Sequence, residues 1–234
     1  MRGLRKTLTD KDYILKSQNI DYTLCLVTDR GLARGRPTLD IVEAAVCGGG
    51  TCVQLREKTG STREFIEQAL AIRDFLRSRD IPLIINDRLD VALAVDADGV
   101  HLGQNDMPLA IARSIVKDAM SIGISTNSLE DAVTAEKGGA DYLGVGPIYP
   151  TATKSDTAPV LGLDGLEKIR KNIKIPLVTI GGLNRRNAAQ VIRNGADGIA
   201  VVSAIGSAQD PEKASRSLMN TIRLAKHNRY LYSE

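Results

Sequence analysis

Short apolar segments alternate with amphipathic segments along almost the whole chain, and this alternation constrains the fold more than any other feature. Eight apolar segments have the length of a strand. They are 22–28, 51–56, 82–86, 99–102, 120–125, 141–146, 176–180 and 197–202. The segments between them carry apolar residues at helical spacing, for example in 61–78, 128–137 and 184–194. Strands that alternate with helices in this way indicate βαβ units and a parallel sheet.

Capping residues mark the ends of several predicted helices. Ser61 precedes Glu64 by three residues, which is the pattern of a capping box. Ser128 and Asn184 are the predicted N-caps of two further helices, and Gly195 lies just past the predicted end of the last one.

A repeated Ala-Asp turn introduces every second predicted strand. Ala97-Asp98, Ala140-Asp141 and Ala196-Asp197 precede the strands that we count as fourth, sixth and eighth. A closed barrel of βα units would show this recurrence, and a doubly wound sheet of eight strands is the alternative. We therefore predict an α/β protein, a single (β/α)8 TIM barrel over residues 21–234, with a short N-terminal extension over residues 1–20.

Charge and composition argue against two classes of partner. Residues 1–19 carry five basic and two acidic side chains, the rest of the chain is balanced, and only 3% of the residues are aromatic. Nucleic-acid binders use a basic stripe and stacking aromatic residues, so we expect no nucleic acid. No charge-free run exceeds 12 residues, whereas a spanning helix needs ~18 or more, so we expect no membrane span. The N-terminus lacks the apolar core of a secretion signal, and we expect a cytoplasmic protein.

The cysteines and histidines suggest no dedicated chemistry. Cys25, Cys47 and Cys52 lack metal-site spacing, and we expect them to be buried free thiols. His101 lies inside a strand and is predicted to be a hydrogen-bonded core residue, and His227 lies in the last helix. The sequence therefore gives no support to a histidine triad or a histidine-rich zinc site.

Polar side chains at the end of the second strand predict an anion site. In a (β/α)8 barrel the carboxyl ends of the strands surround the active site. Because strand side chains alternate, Gln54, Arg56 and Lys58 share one face, while Val53 and Leu55 share the other. Two cations and an amide at a barrel mouth suit an anion. The alternative is a strand that ends in a solvated turn.

Two aspartates follow the neighbouring third and fourth strands. Asp87 and Asp106 are therefore expected at the same rim of the barrel. Mg²⁺ is usually held by one or two carboxylates together with substrate phosphate oxygens. We predict a Mg²⁺ site there, with plain N-capping of the next helices as the alternative.

Two further regions suggest phosphate binding. The segment 147–161 lacks helical or strand periodicity, and Thr151, Thr153 and Lys154 in it could donate to an anion. Small residues follow the seventh strand at Gly181-Gly182 and the eighth strand at Ser203. Loops after these two strands often bind phosphate in this fold.

Seven short motifs, taken in order, resemble the thiamine phosphate synthase family from about Tyr22 to the last helix. They are Gln54-Leu55-Arg56-Glu57-Lys58, Asn86-Asp87-Arg88, His101-Leu102-Gly103-Gln104 with Asp106, Gly123-Ile124-Ser125, Pro150-Thr151-Ala152-Thr153-Lys154, Gly181-Gly182 and Val202-Ser203.

The resemblance implies a transferase that joins an aminopyrimidine methyl diphosphate to a thiazole ethyl phosphate with release of pyrophosphate. It implies Arg56, Lys58, Ser125 and Lys154 as catalytic residues and Asp87 and Asp106 as ligands of Mg²⁺. The substrate-binding residues that it implies are Gln54, Leu55, Arg56, Glu57, Lys58, Asn86, Ser125, Thr151, Ala152, Thr153, Lys154, Gly182, Val202 and Ser203. We expect small-molecule substrates as partners, and a homo-oligomer is left open.

The sequence departs from the family pattern at Thr126-Asn127, where a small residue followed by His is expected. Residues 1–20 also extend beyond the usual start. Two alternatives remain, a thiazole tautomerase of the same barrel family and a non-catalytic sensor of phosphorylated thiamine precursors. Neither alternative needs diphosphate-binding cations together with a pair of metal-binding carboxylates.

Overall fold

Eight parallel strands form a closed barrel in the computed structural model, which describes residues 20–151 and 159–231. The strands lie in chain order around the barrel, and the last one pairs with the first. The closed ring confirms the predicted (β/α)8 fold and excludes the doubly wound sheet, which keeps two free edges. The strands are β1 (Leu24–Val27), β2 (Cys52–Leu55), β3 (Leu83–Asn86), β4 (Gly99–Leu102), β5 (Ser121–Thr126), β6 (Tyr142–Val145), β7 (Leu177–Thr179) and β8 (Gly198–Val201).

A helix follows each strand on the outside of the barrel. The first seven are α1 (Thr38–Cys47), α2 (Thr62–Arg77), α3 (Leu89–Ala94), α4 (Leu109–Val116), α5 (Leu129–Lys137), α6 (Gly162–Asn172) and α7 (Ala188–Arg193). The one-turn helix α8 (Ser203–Gly206) and the long helix α9 (Pro211–Leu231) follow β8. All eight predicted strands, and the predicted helices 61–78 and 128–137, are confirmed to within two residues at each end.

The predicted extension lies almost wholly outside the described residues, so it and the domain boundary at residue 21 stay predictions. None of the helices within residues 20–151 and 159–231 combines the length and the apolar composition that crossing a bilayer requires.

The strands direct alternate side chains into two separate layers. Leu55 and Val53 of β2 are buried in the layer between the barrel and the helices, and Cys52 is buried inside the barrel. Gln54, between them, also faces the barrel interior, where it lines a cavity. The predicted alternation of β2 is therefore confirmed.

Two aromatic side chains fill the barrel interior where most barrels carry branched aliphatic residues. The ring of Tyr142 stacks on that of Tyr22 with centroids 4.3 Å apart, and His101 lies beside Tyr142 at 5.4 Å. Glycines on β5 and β6 provide the space. A Cβ at Gly123 would lie 2.1 Å from the Tyr142 ring, and one at Gly144 would lie 2.7 Å from His101 Cε1.

The aspartates of the repeated Ala-Asp turns share one structural role. Each accepts a hydrogen bond from the backbone N–H at or near the start of the preceding strand. Asp98 accepts from Leu83 at 2.9 Å, and Asp197 accepts from Leu177 at 2.8 Å. Asp141 accepts from Ile122 in the same way. The repeated aspartates thus join β3 to β4, β5 to β6 and β7 to β8. These contacts lie at the face of the barrel opposite its mouth.

The predicted capping of α2 and α5 is confirmed. Ser61 and Glu64 form a reciprocal capping box, and the Ser128 hydroxyl accepts from the backbone N–H of Asp131 at 3.0 Å. These side chains satisfy backbone donors that have no partner within the helix.

The predicted N-cap at Asn184 is wrong, because α7 begins at Ala188. The Asn184 side chain instead accepts from the backbone N–H of Arg186 at 2.9 Å and stabilises a turn before the helix. This local bond competes with helix formation, as asparagine often does. Gly195 lies past the helix end as predicted, with φ of 107°.

The prediction of buried thiols holds for two of the three cysteines. Cys25 and Cys52 are paired in register on β1 and β2, and their sulfur atoms lie 3.3 Å apart inside the barrel. Cys47, at the end of α1, is exposed, which corrects the prediction for that residue.

Candidate active site

A cavity of about 460 Å³ opens at the carboxyl ends of the strands and extends into the barrel. Its size suits a small-molecule ligand. The structure brings most of the predicted site residues to its wall. These residues are Gln54, Arg56, Lys58, Asn86, Asp87, Asp106, Ser125, Thr151, Gly182, Val202 and Ser203.

Two predicted substrate-binding residues do not line this cavity. Leu55 is fully buried between the barrel and the helices because it lies on the outward face of β2. The Glu57 carboxylate is turned away into its own loop, where it accepts from the backbone N–H of Thr59 at 2.9 Å and pairs with Arg30 at 2.8 Å. Both residues therefore belong to the frame around the site.

Ala152, Thr153 and Lys154 lie outside the described residues, so the predicted roles of these three remain predictions. The neighbouring Thr151 lines the cavity.

Two cations at the end of β2 are each held by a carboxylate from a neighbouring strand. Arg56 Nη1 lies 2.7 Å from Asp29 Oδ2, just after β1. Lys58 Nζ pairs with Asp87 Oδ2, just after β3. The Lys58 side chain is half exposed at the cavity mouth, whereas Arg56 is mostly buried. The two ion pairs hold both cations at the cavity wall.

Asp87 and Asp106 face each other at the same rim, as predicted. Burial alone would raise the pKa of Asp87, but hydrogen bonds with Lys58 and Asp106 outweigh burial and hold this pKa below its usual value. Burial and the hydrogen bond with Asp87 raise the pKa of Asp106 above its usual value.

The backbone around the carboxylate pair is unusual. Asp87 has φ of 64°, a left-handed conformation that costs energy for a residue with a side chain. Its N–H donates to the backbone carbonyl of His101 at 2.8 Å. Asp106 Oδ2 accepts from the backbone N–H of Gly103 at 2.7 Å. The first bond holds the backbone of Asp87, and the second holds the Asp106 carboxylate.

The deep end of the cavity contains polar groups on β4 and β5. Ser125 Oγ lies 2.9 Å from His101 Nε2, and the Ser125 carbonyl accepts from Gln104 Nε2 at 2.6 Å. His101 Nδ1 lies 2.9 Å from the hydroxyl of Tyr142. The prediction of a hydrogen-bonded core histidine is confirmed, but His101 also lines the cavity. Gly123 on β5 and Gly144 on β6, which leave space for the rings of Tyr142 and His101, were the sequence signal that could have indicated this arrangement.

The opposite side of the cavity is formed by small residues after β7 and β8. Gly181 and Gly182 have φ of 96° and 65°, which residues with a side chain rarely adopt. A Cβ at Gly182 would also lie 2.7 Å from the carbonyl oxygen of Pro150. Val202 and Ser203 line the cavity beside them. Backbone close to the cavity, without side chains, suits a phosphate group.

Comparisons with known proteins agree with this geometry. The sequence profile of the family described as thiamine monophosphate synthase matches residues 24–205. The thiamine-phosphate synthase of Chloroflexus aurantiacus is 56% identical over 199 residues, which are 85% of this chain and 92% of that protein. The corresponding protein of Syntrophomonas wolfei is 53% identical over 200 residues, with coverages of 86% and 96%.

A solved structure also resembles this chain. The thiamine phosphate pyrophosphorylase from Pyrococcus furiosus superposes with a TM-score of 0.82 at 44% identity, over 90% of this chain and 98% of that one. The profile, the relatives and the solved structure all extend across the barrel that carries the cavity. The chain therefore belongs to the thiamine-phosphate synthase family.

Proposed function

We propose that this chain joins an aminopyrimidine methyl diphosphate to a thiazole ethyl phosphate, forming thiamine phosphate and pyrophosphate. The observation that carries the proposal is the convergence of Arg56 and Lys58 with the carboxylates of Asp87 and Asp106 at one rim of a ligand-sized cavity. A diphosphate leaving group needs cations and a metal-binding pair together. The names of the relatives and the solved structure support the same reaction.

The positions of the residues suggest a division of the cavity among three groups. The pyrimidine would lie deep in the barrel on Gln54 and Ser125. The diphosphate would bind at the rim, on Arg56, Lys58 and Asn86, with Lys154 as a further predicted ligand. The thiazole phosphate would bind opposite, on the set predicted from sequence: Thr151, Thr153, Gly182, Val202 and Ser203.

The residues of the rim fit Mg²⁺. Among the described residues no group of three or more histidine, cysteine, aspartate or glutamate side chains is arranged to hold a metal alone. The pair Asp87 and Asp106 is what Mg²⁺ uses when substrate phosphates complete its coordination. When bound, Mg²⁺ would neutralise negative charge on the diphosphate. The two carboxylates would hold it beside Lys58.

The chemistry proposed for these residues is stabilisation of a departing group. The bond between the pyrimidine methylene carbon and the diphosphate oxygen breaks, and pyrophosphate leaves with the electron pair. Arg56 and Lys58 would stabilise the developing charge. The electron-rich aminopyrimidine stabilises the resulting cation, and the thiazole nitrogen donates its lone pair to form the new carbon–nitrogen bond. No general base is required, and the barrel walls would exclude water from the cation.

We also infer a setting for the enzyme. Its partners would be small molecules in the cytoplasm, and residues 21–234 would form the catalytic domain behind an extension of residues 1–20. Ile111 and Ile115, one turn apart on α4, are both about half exposed. This apolar pair supports a homo-oligomer, which light scattering of the purified protein would test.

One assay tests the proposed function. Purified protein is incubated with both substrates and Mg²⁺, and thiamine phosphate is detected by fluorescence after oxidation. Product that requires both substrates supports the proposal. Conversion of a carboxylated thiazole phosphate alone would indicate a tautomerase, and binding of either substrate without product would indicate a sensor.

A further inference from the structure

Asp29, the second residue after β1, pairs with the cation Arg56 but is not part of the cavity wall. Its Oδ2 accepts from Arg56 Nη1 at 2.7 Å, and its Oδ1 accepts from the backbone N–H of Leu32 at 3.2 Å. Arg56 lines the cavity, whereas Asp29 does not. Asp29 therefore contacts the cation without lining the space that a ligand would occupy.

The backbone of Arg56 is held by the residue next to Asp29. The Thr28 hydroxyl accepts from the backbone N–H of Arg56 at 3.0 Å and donates to the carbonyl oxygen of Arg56 at 3.4 Å. Thr28 itself is buried. The segment after β1 thus holds Arg56 at two places, its backbone through Thr28 and its side chain through Asp29.

Most of the donors of Arg56 are left over after this pairing. A guanidinium carries several N–H groups on a planar fork, and the contact with Asp29 uses one of them. No other acceptor within residues 20–151 and 159–231 forms a hydrogen bond with this guanidinium. The fork geometry of the remaining N–H groups suits phosphate oxygens. Asp29 therefore holds the cation and still leaves it donors for an anion.

The pairing has two opposite effects on an anion that binds Arg56. The negative charge of Asp29 offsets part of the positive charge of Arg56, which weakens the attraction for an anion in the ground state. The same contact restricts a long side chain, so that its donors are already ordered. Ordered donors contribute most where charge develops in the transition state.

We propose that Asp29 is a positioning residue that holds Arg56 in place for departure of the diphosphate. This inference rests on the proposed function, because a leaving diphosphate beside Arg56 is part of that reaction. Without Asp29 the side chain of Arg56 can still follow a bound diphosphate, but it has to be ordered while the bond breaks. Loss of Asp29 should therefore lower kcat without weakening the binding of the diphosphate substrate.

The test measures kcat and KM for the pyrimidine diphosphate in wild-type protein and in Asp29→Ser. Serine is a good N-cap residue and can keep the bond from the Leu32 N–H, but its shorter side chain does not extend to Arg56. We expect kcat to fall about tenfold, because the cation is no longer held in place. KM should stay equal or fall.

Inorganic pyrophosphate reports on binding without the chemical step. Its inhibition constant should stay equal or fall in Asp29→Ser, since the variant removes a negative charge from beside Arg56. General damage to the site would instead raise KM and this constant together. Asp29→Asn, which also removes the charge but keeps the shape, should shift the constants in the same direction and serves if the serine variant does not fold.

Arg30→Met is the matched control. Arg30 Nη2 pairs with Glu57 Oε2 at 2.8 Å, so it joins the same two loops one residue further along, yet neither residue lines the cavity. Its kcat should equal that of wild type. In an Arg56→Met background, Asp29→Ser should lower kcat no further, because the carboxylate acts through that cation.

The outcomes separate the inference from the proposed function. A wild-type kcat in both Asp29 variants would overturn the inference and leave the proposed function intact. A loss of the same size in Arg30→Met, or a further loss in the Arg56→Met background, would also overturn it, because the effect would then be one of loop packing. So would a rise in KM and in the pyrophosphate inhibition constant. No turnover by wild-type protein would instead refute the proposed function.

Discussion

Lys58 Nζ forms an ion pair with Asp87 Oδ2 across the gap between β2 and β3, at the rim of the cavity. The pair joins the predicted anion site to the predicted metal site. Asp106 lies at the same rim, so one cation and two carboxylates lie together at the cavity wall. The charge state of this group should control Mg²⁺ binding.

Mg²⁺ activation should weaken as the pH falls. Asp106 has the raised pKa of the pair, so it takes up a proton first, and a protonated carboxyl is a poor ligand. We expect the Mg²⁺ concentration for half-maximal activity to rise from neutral to mildly acidic pH. The Asp106→Asn variant should need more Mg²⁺ than wild type for half-maximal activity at every pH. Its Mg²⁺ requirement should also change less with pH. A wild-type profile without this rise would contradict the raised pKa of Asp106.

The strand-joining aspartates should matter for stability and not for chemistry. Asp197 accepts from the backbone N–H of Leu177 at 2.8 Å and pairs with Arg170 at 2.9 Å, at the face opposite the cavity. Asp197→Ala should lower the free energy of unfolding by about 1–3 kcal/mol, measured in urea, because it leaves a strand N–H without its partner. Asp197→Asn keeps an acceptor and should cost less. Equal losses of unfolding free energy in the two variants would show that Asp197 stabilises the protein only through its charge.

Thr126→Val should not destabilise the protein. Thr126 is 2% exposed, and its Oγ1 is the one buried side-chain polar atom among the described residues without a hydrogen-bond partner. Valine has nearly the same shape and removes the unsatisfied hydroxyl, so we expect the free energy of unfolding to stay equal or rise by about 1 kcal/mol. Differential scanning calorimetry gives the measurement. A clear loss of stability would mean that the hydroxyl has a partner after all.

One of the three thiols should react quickly with a disulfide reagent. Cys47 is exposed, whereas Cys25 and Cys52 are buried against each other. The hydrogen bond with Cys25 and burial raise the pKa of Cys52 well above its usual value, which suppresses the reactive thiolate. We expect one fast equivalent with native protein, lost in Cys47→Ser, and all three equivalents after denaturation. More than one fast thiol in native protein would contradict the burial of the pair.

The fold could be predicted from the sequence because the patterns that indicate it lie within single strands and turns. The alternation in β2 separates Gln54 from Val53 and Leu55, and the Ala-Asp turns recur because each aspartate holds a backbone N–H of the preceding strand. The error at Asn184 has a local cause as well. Its side chain bonds the N–H two residues ahead, and this competes with the N-cap role that the sequence favoured.

The site was predicted less completely because it depends on which side chains meet across the barrel. Leu55 and Glu57 share a motif with Arg56 but point away from the cavity. His101 was correctly predicted to be buried, yet its contacts with Ser125 and Tyr142 join β4 to β5 and β6. No spacing within one strand specifies such contacts, and strand register decides them.

The most direct measurement is the rate of pyrophosphate release in a single turnover, compared between two cation variants. Lys58 lines the cavity after β2, whereas Arg88, after β3, pairs with Asp90 at 2.6 Å and is absent from the cavity wall. Lys58→Met should slow release by about 10²–10³-fold, the scale of losing one strong electrostatic contact to the departing group. Arg88→Met, the matched control, should release pyrophosphate at the wild-type rate. Wild-type rates in both variants would contradict the claim that the cations of this rim drive departure of the diphosphate.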